Sequence, residues 1–272
     1  MTDLVERLVP DELWVLFRRV VPPTEVIRPQ GGGRRRAGDR EALAAIIFVA
    51  TSGCTWRQLP PVFGPAWQTV YRRFAQWSRG RVWARFYRVI LDELGARGEL
   101  DWSRCAIDSV SLRAAKGAFL TGPNPTDRGK LGSKIHLICD RNGLPLSLGI
   151  SGANMHDSQG LEPLVRGIPP IRSRRGPRRR RPEKLHADKG YDYDHLRRWL
   201  RNRGIRHRIA RKGIESSKRL GRHRWVVERT VSWLAGCRRL HRRYERKAEH
   251  FLAFVGISAA LIGYRRLARA ST

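Results

Sequence analysis

The chain has 272 residues, enough for one large domain or two modest ones. Hydrophobic residues make up 41% of it, which supports a packed core and excludes a disordered polycation. Lysine and arginine number 55 against 24 aspartates and glutamates, and the formal net charge of +31 indicates nucleic acid as the main partner, although a GC-rich genome explains the arginine excess equally well.

The first hundred residues have the apolar periodicity of helices. Apolar side chains recur every third or fourth position in four segments, and Pro- and Gly-rich stretches separate these segments. We therefore predict a small all-α N-terminal domain over residues 1–98 that binds DNA. The predicted helices are DELWVLFRRVV, REALAAIIFVATSG, WQTVYRRFAQWSRG and RVWARFYRVILDELGA.

The third of these helices is a candidate recognition helix. It follows the turn GCTWRQLPPVFGPA, which is longer than the connector of an ordinary helix-turn-helix unit. Amide and guanidinium side chains pair with adenine and with guanine or phosphate, which makes its polar face suitable for DNA. The alternative is that the arginines form a solvated face of a structural bundle. The candidate DNA contacts are Gln68, Thr69, Arg72 and Arg73.

From about residue 102 the pattern changes to that of a mixed sheet. Two strand-like segments meet at Asn142-Gly143, a strong hairpin signal, and later strands alternate with helical segments. We predict an α/β fold with a mixed five-stranded sheet flanked by helices. The predicted strands are CAIDSVSLRA, KIHLICDRNG, LPLSLGISGA, KLHADKGY and IRHRIARKG, and the predicted helices are DSQGLEPLVRGI, DYDHLRRWLRNRG and residues 221–239.

Three carboxylates stand out in this basic chain. Asp108 interrupts the first strand, Asp188 ends the fourth, and Glu228 lies on the last predicted helix. A carboxylate in a buried strand is costly unless it is paired or binds a metal, and hard divalent cations prefer such oxygen ligands. Together they predict a Mg²⁺ site facing a nucleic-acid phosphate. The alternative is a structural salt bridge with one of the many arginines.

Several ordered motifs resemble the DDE transposases of bacterial insertion sequences, specifically the IS-five group. The resemblance covers about residues 10 to 265, which is nearly the whole chain. It is carried by the segments AIDSVSLRA, DRGKLGSKIHLICDRNGLPL, SGANMHDSQ, LHADKGYD, RWVVERTVSWLAGCRRLHRRYER and, near the N-terminus, GCTWRQLPPVFGPAWQTVYRRFAQW.

This resemblance implies an RNase H-like catalytic domain over residues 102–268. Asp108, Asp188 and Glu228 match the three carboxylates that bind two Mg²⁺ ions in the family, for which Mn²⁺ can substitute. The implied partners are the double-stranded DNA of the transposon ends and the target, bound by a homodimer, with no membrane. Further candidate DNA contacts are Lys189, Arg224, Arg238 and Arg239.

One part of the family signature is not matched. The family has a tyrosine three residues before the arginine that matches Arg224, and a lysine seven residues after the glutamate. Here these positions are Gly221 and Ala235. The difference concerns the residues that clamp the DNA backbone and leaves the three carboxylates in place.

The function implied is a metal-dependent transposase that binds terminal inverted repeats and catalyses DNA strand cleavage and strand transfer. The alternatives are a non-catalytic DNA-binding repressor or domesticated relic, and an RNase H-like nuclease without joining activity. The N-terminus lacks a signal peptide, and no apolar run approaches the roughly 18 residues of a membrane helix. The expected location is the bacterial cytoplasm, in association with the nucleoid. The four cysteines have no metal-binding spacing and are expected to be reduced.

Overall fold

The N-terminal part of the protein is a bundle of helices. A computed structural model describes residues 4–23, 37–213 and 217–270, with side chains for all of these except 217–224. Pro10 separates the first two helices, because proline cannot continue a helix begun before it. Two short 3₁₀ turns, Trp56–Gln58 and Pro61–Phe63, occupy the turn before the candidate recognition helix. The helices of this part are α1 Leu4–Leu8, α2 Asp11–Arg18, α3 Asp39–Ser52, α4 Trp67–Arg79 and α5 Val82–Arg97.

The rest of the chain is built on a mixed sheet. The strand order is β2-β3-β1-β5-β6, and β4 pairs with β3 on the same side as β2. The pairs β1–β3 and β3–β4 are antiparallel, whereas β1–β5 and β5–β6 are parallel. The strands are β1 Cys105–Arg113, β2 Gly122–Pro123, β3 Leu131–Asp140, β4 Pro145–Gly152, β5 Lys184–Ala187 and β6 Arg206–Ile209.

Helices cover both faces of this sheet. Leu164 of α6, Leu161–Gly167, packs at Gly149 on one face. The helix α8, Ser217–Ala235, contacts β1, β3 and β5, and α9, Ala248–Arg269, contacts β4. The helix α7, Asp194–Asn202, links β5 to β6 as a parallel crossover. The α/β class with a mixed sheet flanked by helices and a preceding helical part is confirmed.

Three elements differ from the sequence prediction. The short helix α1, Leu4–Leu8, precedes the four helices predicted for the N-terminal part. The two-residue strand β2 is a sixth strand in addition to the five predicted ones. It exists through backbone pairing with Leu131 and Gly132, and its sequence has no alternating pattern that would predict a strand. The helix α9 was not predicted at all, although it is the longest helix within the described ranges. Its segment is apolar on nearly every side, so it lacks the amphipathic stripe that marks a surface helix.

The helix α9 joins the two parts of the chain. It packs against α5, α4 and α3 of the bundle as well as against β4, and its Phe254 stacks on Phe74 of α4. By length and composition alone α9 could cross a membrane, contrary to the expectation that no apolar run is long enough, but 67% of that window is buried inside the protein. A core helix of a soluble protein passes the same test. The apolar core is therefore continuous from the N-terminal bundle to the sheet. The boundaries 1–98 and 102–268 remain predictions.

Candidate active site and nucleic-acid interface

Asp108 lies on β1, and Asp188 directly follows β5, the parallel neighbour of β1. Ala106 and His186 form the last pair between these strands, so Asp108 and Asp188 each lie two residues beyond that pair. Residues two apart on a strand point to the same face, so both aspartates share one face of the sheet. Both are half-buried. Two of the three carboxylates predicted from the sequence therefore lie on one face of the sheet, on neighbouring chain segments.

Backbone amides hold both aspartates in place. Asp108 Oδ1 accepts a hydrogen bond from the amide of Ser109 at 2.8 Å. Asp188 Oδ1 accepts one from the amide of Gly190 at 2.9 Å, in the turn that ends β5. A Cβ at position 190 would lie 3.0 Å from the same carboxylate oxygen, so glycine allows this close approach. The second aspartate is therefore oriented by the turn that carries it.

Glu228 lies on α8, which crosses the same face of the sheet. Thr230 of α8 donates a hydrogen bond to the carbonyl of Gly143 at 2.8 Å and also bonds to the Cys139 thiol. Cys139 pairs with Ala106, whose side chain shares its face with Asp108. Val226 and Val227 are buried on the sheet side of α8, whereas Glu228 is exposed. The helix thus lies over the face with the aspartates, and Glu228 is on its solvent-exposed side.

The donor set suits a hard divalent cation, but the ligand geometry is not assembled. In the part of the chain that the structure describes, no three His, Cys, Asp or Glu side chains are close enough together to hold one ion. Asp108 and Asp188 supply two carboxylates on one face of the sheet, and carboxylate oxygens are the donors that Mg²⁺ prefers. A full site would require Glu228, or solvent and phosphate oxygens, to complete the shell. The assignment of all three carboxylates as metal ligands remains a prediction.

The two histidines near this site lie on opposite faces. His136 pairs with Ser109, whose side chain faces away from Asp108 and bonds to Asp157 at 2.7 Å. Its imidazole is 2% exposed and shares a 2.7 Å hydrogen bond with Ser151, and burial lowers its pKa to about 4. His136 is therefore a structural residue of the sheet. His186, opposite Ala106, lies on the face with the aspartates.

The candidate recognition helix presents only part of its predicted DNA surface. Gln68 and Arg72 are exposed, and Thr69 is half-buried. Arg73, predicted to face DNA, is 7% exposed, forms an ion pair with Asp39 of α3, and lies over the Trp77 ring. This corrects the prediction for Arg73, because an acidic partner on a neighbouring helix draws its side chain into the bundle.

The remaining candidate DNA contacts also include both exposed and buried side chains. Lys189 and Arg238 are exposed. Arg239 is 6% exposed, bonds to Glu245 at 2.8 Å and donates to the carbonyl of Cys54 at 3.0 Å. Its predicted role in DNA contact is corrected to that of a link between α3 and the segment after α8. The side chain of Arg224 lies outside the described residues.

The basic loop between α6 and β5 is tied to the protein more closely than its composition indicates. Arg178 forms an ion pair with Asp92 of α5 at 2.7 Å, and Arg179 lies over the Trp102 ring. Arg180 and Arg181 donate to backbone carbonyls at 3.0 and 3.4 Å. All four remain exposed, so this loop is an ordered basic surface.

Sequence comparisons identify close relatives among transposases. Residues 102–262, more than half of the chain, match the family described as transposase DDE domain, and residues 9–87 match a putative transposase of the IS4/5 family. The chain is 49% identical over 150 residues to a putative transposase for insertion sequence element IS402 of Burkholderia cepacia, covering 55% of this chain and 71% of the relative. It is 27% identical over 140 residues to the transposase for IS1106 of Neisseria meningitidis serogroup B, covering 48% and 43%.

A structural comparison supports the fold. A piggyBac transposase in a synaptic complex with hairpin DNA aligns over 97% of this chain and 74% of its own, with a TM-score of 0.50 and 9% identity. At this identity the likeness concerns the fold alone.

Proposed function

The chain belongs to the DDE transposases of the IS4/5 family, and we propose that it binds the terminal inverted repeats of its element and catalyses metal-dependent cleavage and strand transfer of DNA. The observation that supports this proposal is the position of Asp108 on β1 and of Asp188 directly after the neighbouring parallel strand β5, on a sheet face crossed by the helix that bears Glu228. The family uses divalent metal, and the two aspartates offer the oxygen ligands that it requires.

The three carboxylates would hold the metal, while the rest of the chain holds the DNA. Divalent ions bound there would supply charge neutralisation and Lewis-acid activation at the reacting phosphate. The Gly190 amide fixes one oxygen of Asp188, so that the carboxylate keeps its orientation when DNA enters. Exposed Lys189, directly after Asp188, offers a cation to the adjacent phosphate.

The net charge of +31 supplies attraction for DNA that is independent of its sequence. We assign reading of the terminal repeat to the exposed part of α4, where Gln68 and Arg72 are neighbours on one helical face. Two copies of the chain would hold the two ends of the element, as strand transfer of both ends requires.

A joining assay tests this function against its alternatives. The full-length protein would be incubated with Mg²⁺, a supercoiled plasmid, and duplexes that end in the DNA flanking its own gene on either side. A transposase joins the labelled 3′ end to the plasmid, and a scrambled duplex is joined far less. Nicking without joining would indicate a nuclease, and binding without either reaction would indicate a DNA-binding relic. Either result would contradict the proposal.

A further inference from the structure

Phe119 is presented to solvent at the tip of the loop between β1 and β2. Its side chain is 77% exposed, the highest value among the large hydrophobic residues that the structure describes. An exposed phenylalanine does not gain the free energy that burial of an apolar side chain normally contributes to folding. Single exposed apolar residues are common, so exposure alone assigns no role to this one.

The loop that carries Phe119 is held rigidly by a buried arginine. Arg243 is 1% exposed, and its guanidinium donates at 2.8 Å to the carbonyls of Phe119 and Leu120 and to Ser133 Oγ. The Thr121 hydroxyl donates to the carbonyl of Ala118 at 2.6 Å, which closes the tip. A buried guanidinium is costly unless its donors are used, so these bonds specify one loop conformation.

The backbone at the tip adopts a conformation that disfavours ordinary side chains. Leu120 has a φ of 60°, in the left-handed region, which costs a non-glycine residue roughly 1–2 kcal/mol. Residues held in such conformations cluster at binding and catalytic sites. Several hydrogen bonds therefore hold this loop in a strained backbone conformation, with the aromatic ring of Phe119 exposed at its tip.

This loop lies on the sheet face that carries the aspartates. Arg243 and Leu120 both bond to Ser133, and Ser133 pairs with Leu112 of β1. Residues 108 and 112 of one strand share a face, and four residues span about 13 Å. The loop is therefore anchored to that face beside the C-terminal end of β1.

Exposed cations occur in the same stretch of chain as Phe119. Lys116, Arg128 and Lys130 are exposed and have no ion-pair partner in the described part of the chain. The acid of this stretch, Asp127, is already paired with Arg113 at 2.5 Å. An aromatic ring among unpaired cations is the combination that binds DNA strands by stacking and charge together.

We propose that Phe119 is a DNA wedge, which stacks on a base opened from a duplex that lies across the sheet face of the aspartates. This proposal rests on the proposed function, because it places DNA across the same face of the sheet. Apolar wedges on DNA-binding proteins insert at base steps and unstack them, which opens a duplex near a point of reaction.

A binding preference tests the wedge directly. Two fluorescein-labelled 30-base-pair duplexes would be used in EDTA, one fully paired and one with two adjacent unpaired thymines at its centre. The full-length protein is expected to bind the unpaired duplex more tightly. Phe119→Ala should reduce this preference by roughly 5- to 150-fold, the range for loss of one base–aromatic stack. Phe119→Trp should retain it. The matched control is Val62→Ala, which shortens another exposed apolar side chain, 55% exposed, in the N-terminal bundle.

The outcomes separate the wedge from the proposed function. Replacing the unpaired thymines by 5-iododeoxyuridine and irradiating should cross-link the protein at Phe119. A wild-type protein without any preference for unpaired bases, or a Phe119→Ala variant that keeps it, overturns the wedge while leaving cleavage and joining untouched. Failure to bind either duplex would overturn the proposed function together with the wedge. Thermal melting of each variant establishes that it is folded, since the ring is exposed and its removal leaves no cavity.

Discussion

His136 shows at the residue scale how burial sets the chemistry of a side chain near the site. The Ser151 hydroxyl donates to the carbonyl of Gly152 at 3.0 Å, so it accepts from the Nε2–H of a neutral His136. The Nδ1 atom is buried without a hydrogen-bond partner, and protonating it would place an unsolvated charge in the core. The neutral ring is therefore part of the folded state.

Acid should destabilise the protein through His136. Its pKa falls from an ordinary 6.5 to about 4 on folding, so between these values the unfolded chain takes up a proton that the folded chain does not. The stability present above pH 6.5 is lost as the pH falls towards 4, by about 2–3 kcal/mol at pH 4.5 for this one group. Urea unfolding at pH 7 and pH 4.5 measures the fall in the free energy of unfolding. In His136→Gln this fall should be smaller by the contribution of His136. An equal pH dependence in both proteins would show that His136 does not titrate in this way.

The sequence predicts the positions of Asp108 and Asp188 on strands, but it does not predict the burial of Arg73 and Arg239. Each aspartate interrupts or ends a recognisable strand, and the parallel pairing of those strands then places both on one face of the sheet. The arginines are buried because acids far away in sequence, such as Asp39 for Arg73, meet them only in the folded chain. Local pattern carries no information about such pairs.

The helix α9 determines at the element scale whether the two parts of the chain behave as one. It packs lengthwise along α5, and Gly263 allows the close approach, since a Cβ there would lie 2.5 Å from Ile90 Cγ2. Gly256 in the same helix has room, with Trp83 Cβ at 3.9 Å from the added atom. The two glycines thus have different roles within one helix.

Alanine substitutions should separate these roles. Gly263→Ala should lower the free energy of unfolding by about 1–3 kcal/mol, because Ile90 is buried and cannot move aside freely. Gly256→Ala is the matched control, and it should raise stability by up to about 1 kcal/mol through helix propensity. Chemical denaturation of the two variants measures both effects. Equal effects would show that the α5–α9 contact is not tight at Gly263.

Elements with a clear period were predictable, whereas those defined by tertiary contacts were not. Four of the five longer strands alternate or run apolar, whereas β6 is mostly polar, and the hairpin at Asn142-Gly143 fixes the register of two of them. The strand β2 exists only through pairing with β3. The helix α9 was missed because full burial removes the polar face that marks a helix in sequence.

Charge dominates the behaviour of the whole molecule. With a net charge of +31, much of the affinity for DNA is expected to come from release of counterions. Some cationic side chains form ion pairs within the chain, whereas others form none among the described residues. Arg178, for example, has Asp92 as a partner, whereas Lys116 has no ion pair in the described ranges.

Removing unpaired cations should therefore flatten the salt dependence of DNA binding more than removing engaged ones. Replacing Lys116, Arg128 and Lys130 by serine should reduce the slope of log affinity against log salt by up to about 0.9 per lost phosphate contact. The control removes the same charge by replacing Arg178, Arg180 and Arg181, whose guanidiniums bond within the chain, and should change the slope less. Titrations of a fixed duplex at several salt concentrations give both slopes. A larger change in the control would place the main DNA path on the loop before β5.

Asp108, Asp188 and Glu228 are proposed to carry the reaction, and substitutions that neutralise each carboxylate test this role most directly. Cleavage of a labelled terminal duplex in Mg²⁺ would be measured for Asp108→Asn, Asp188→Asn and Glu228→Gln in the full-length protein. Each should lose cleavage by at least about 10³-fold, while DNA binding stays equal or tightens, because a negative charge facing phosphate is removed. The control Glu162→Gln makes the same charge change on α6, across the sheet, and should cleave normally. Near-normal cleavage by any of the three variants would contradict the claim for that residue.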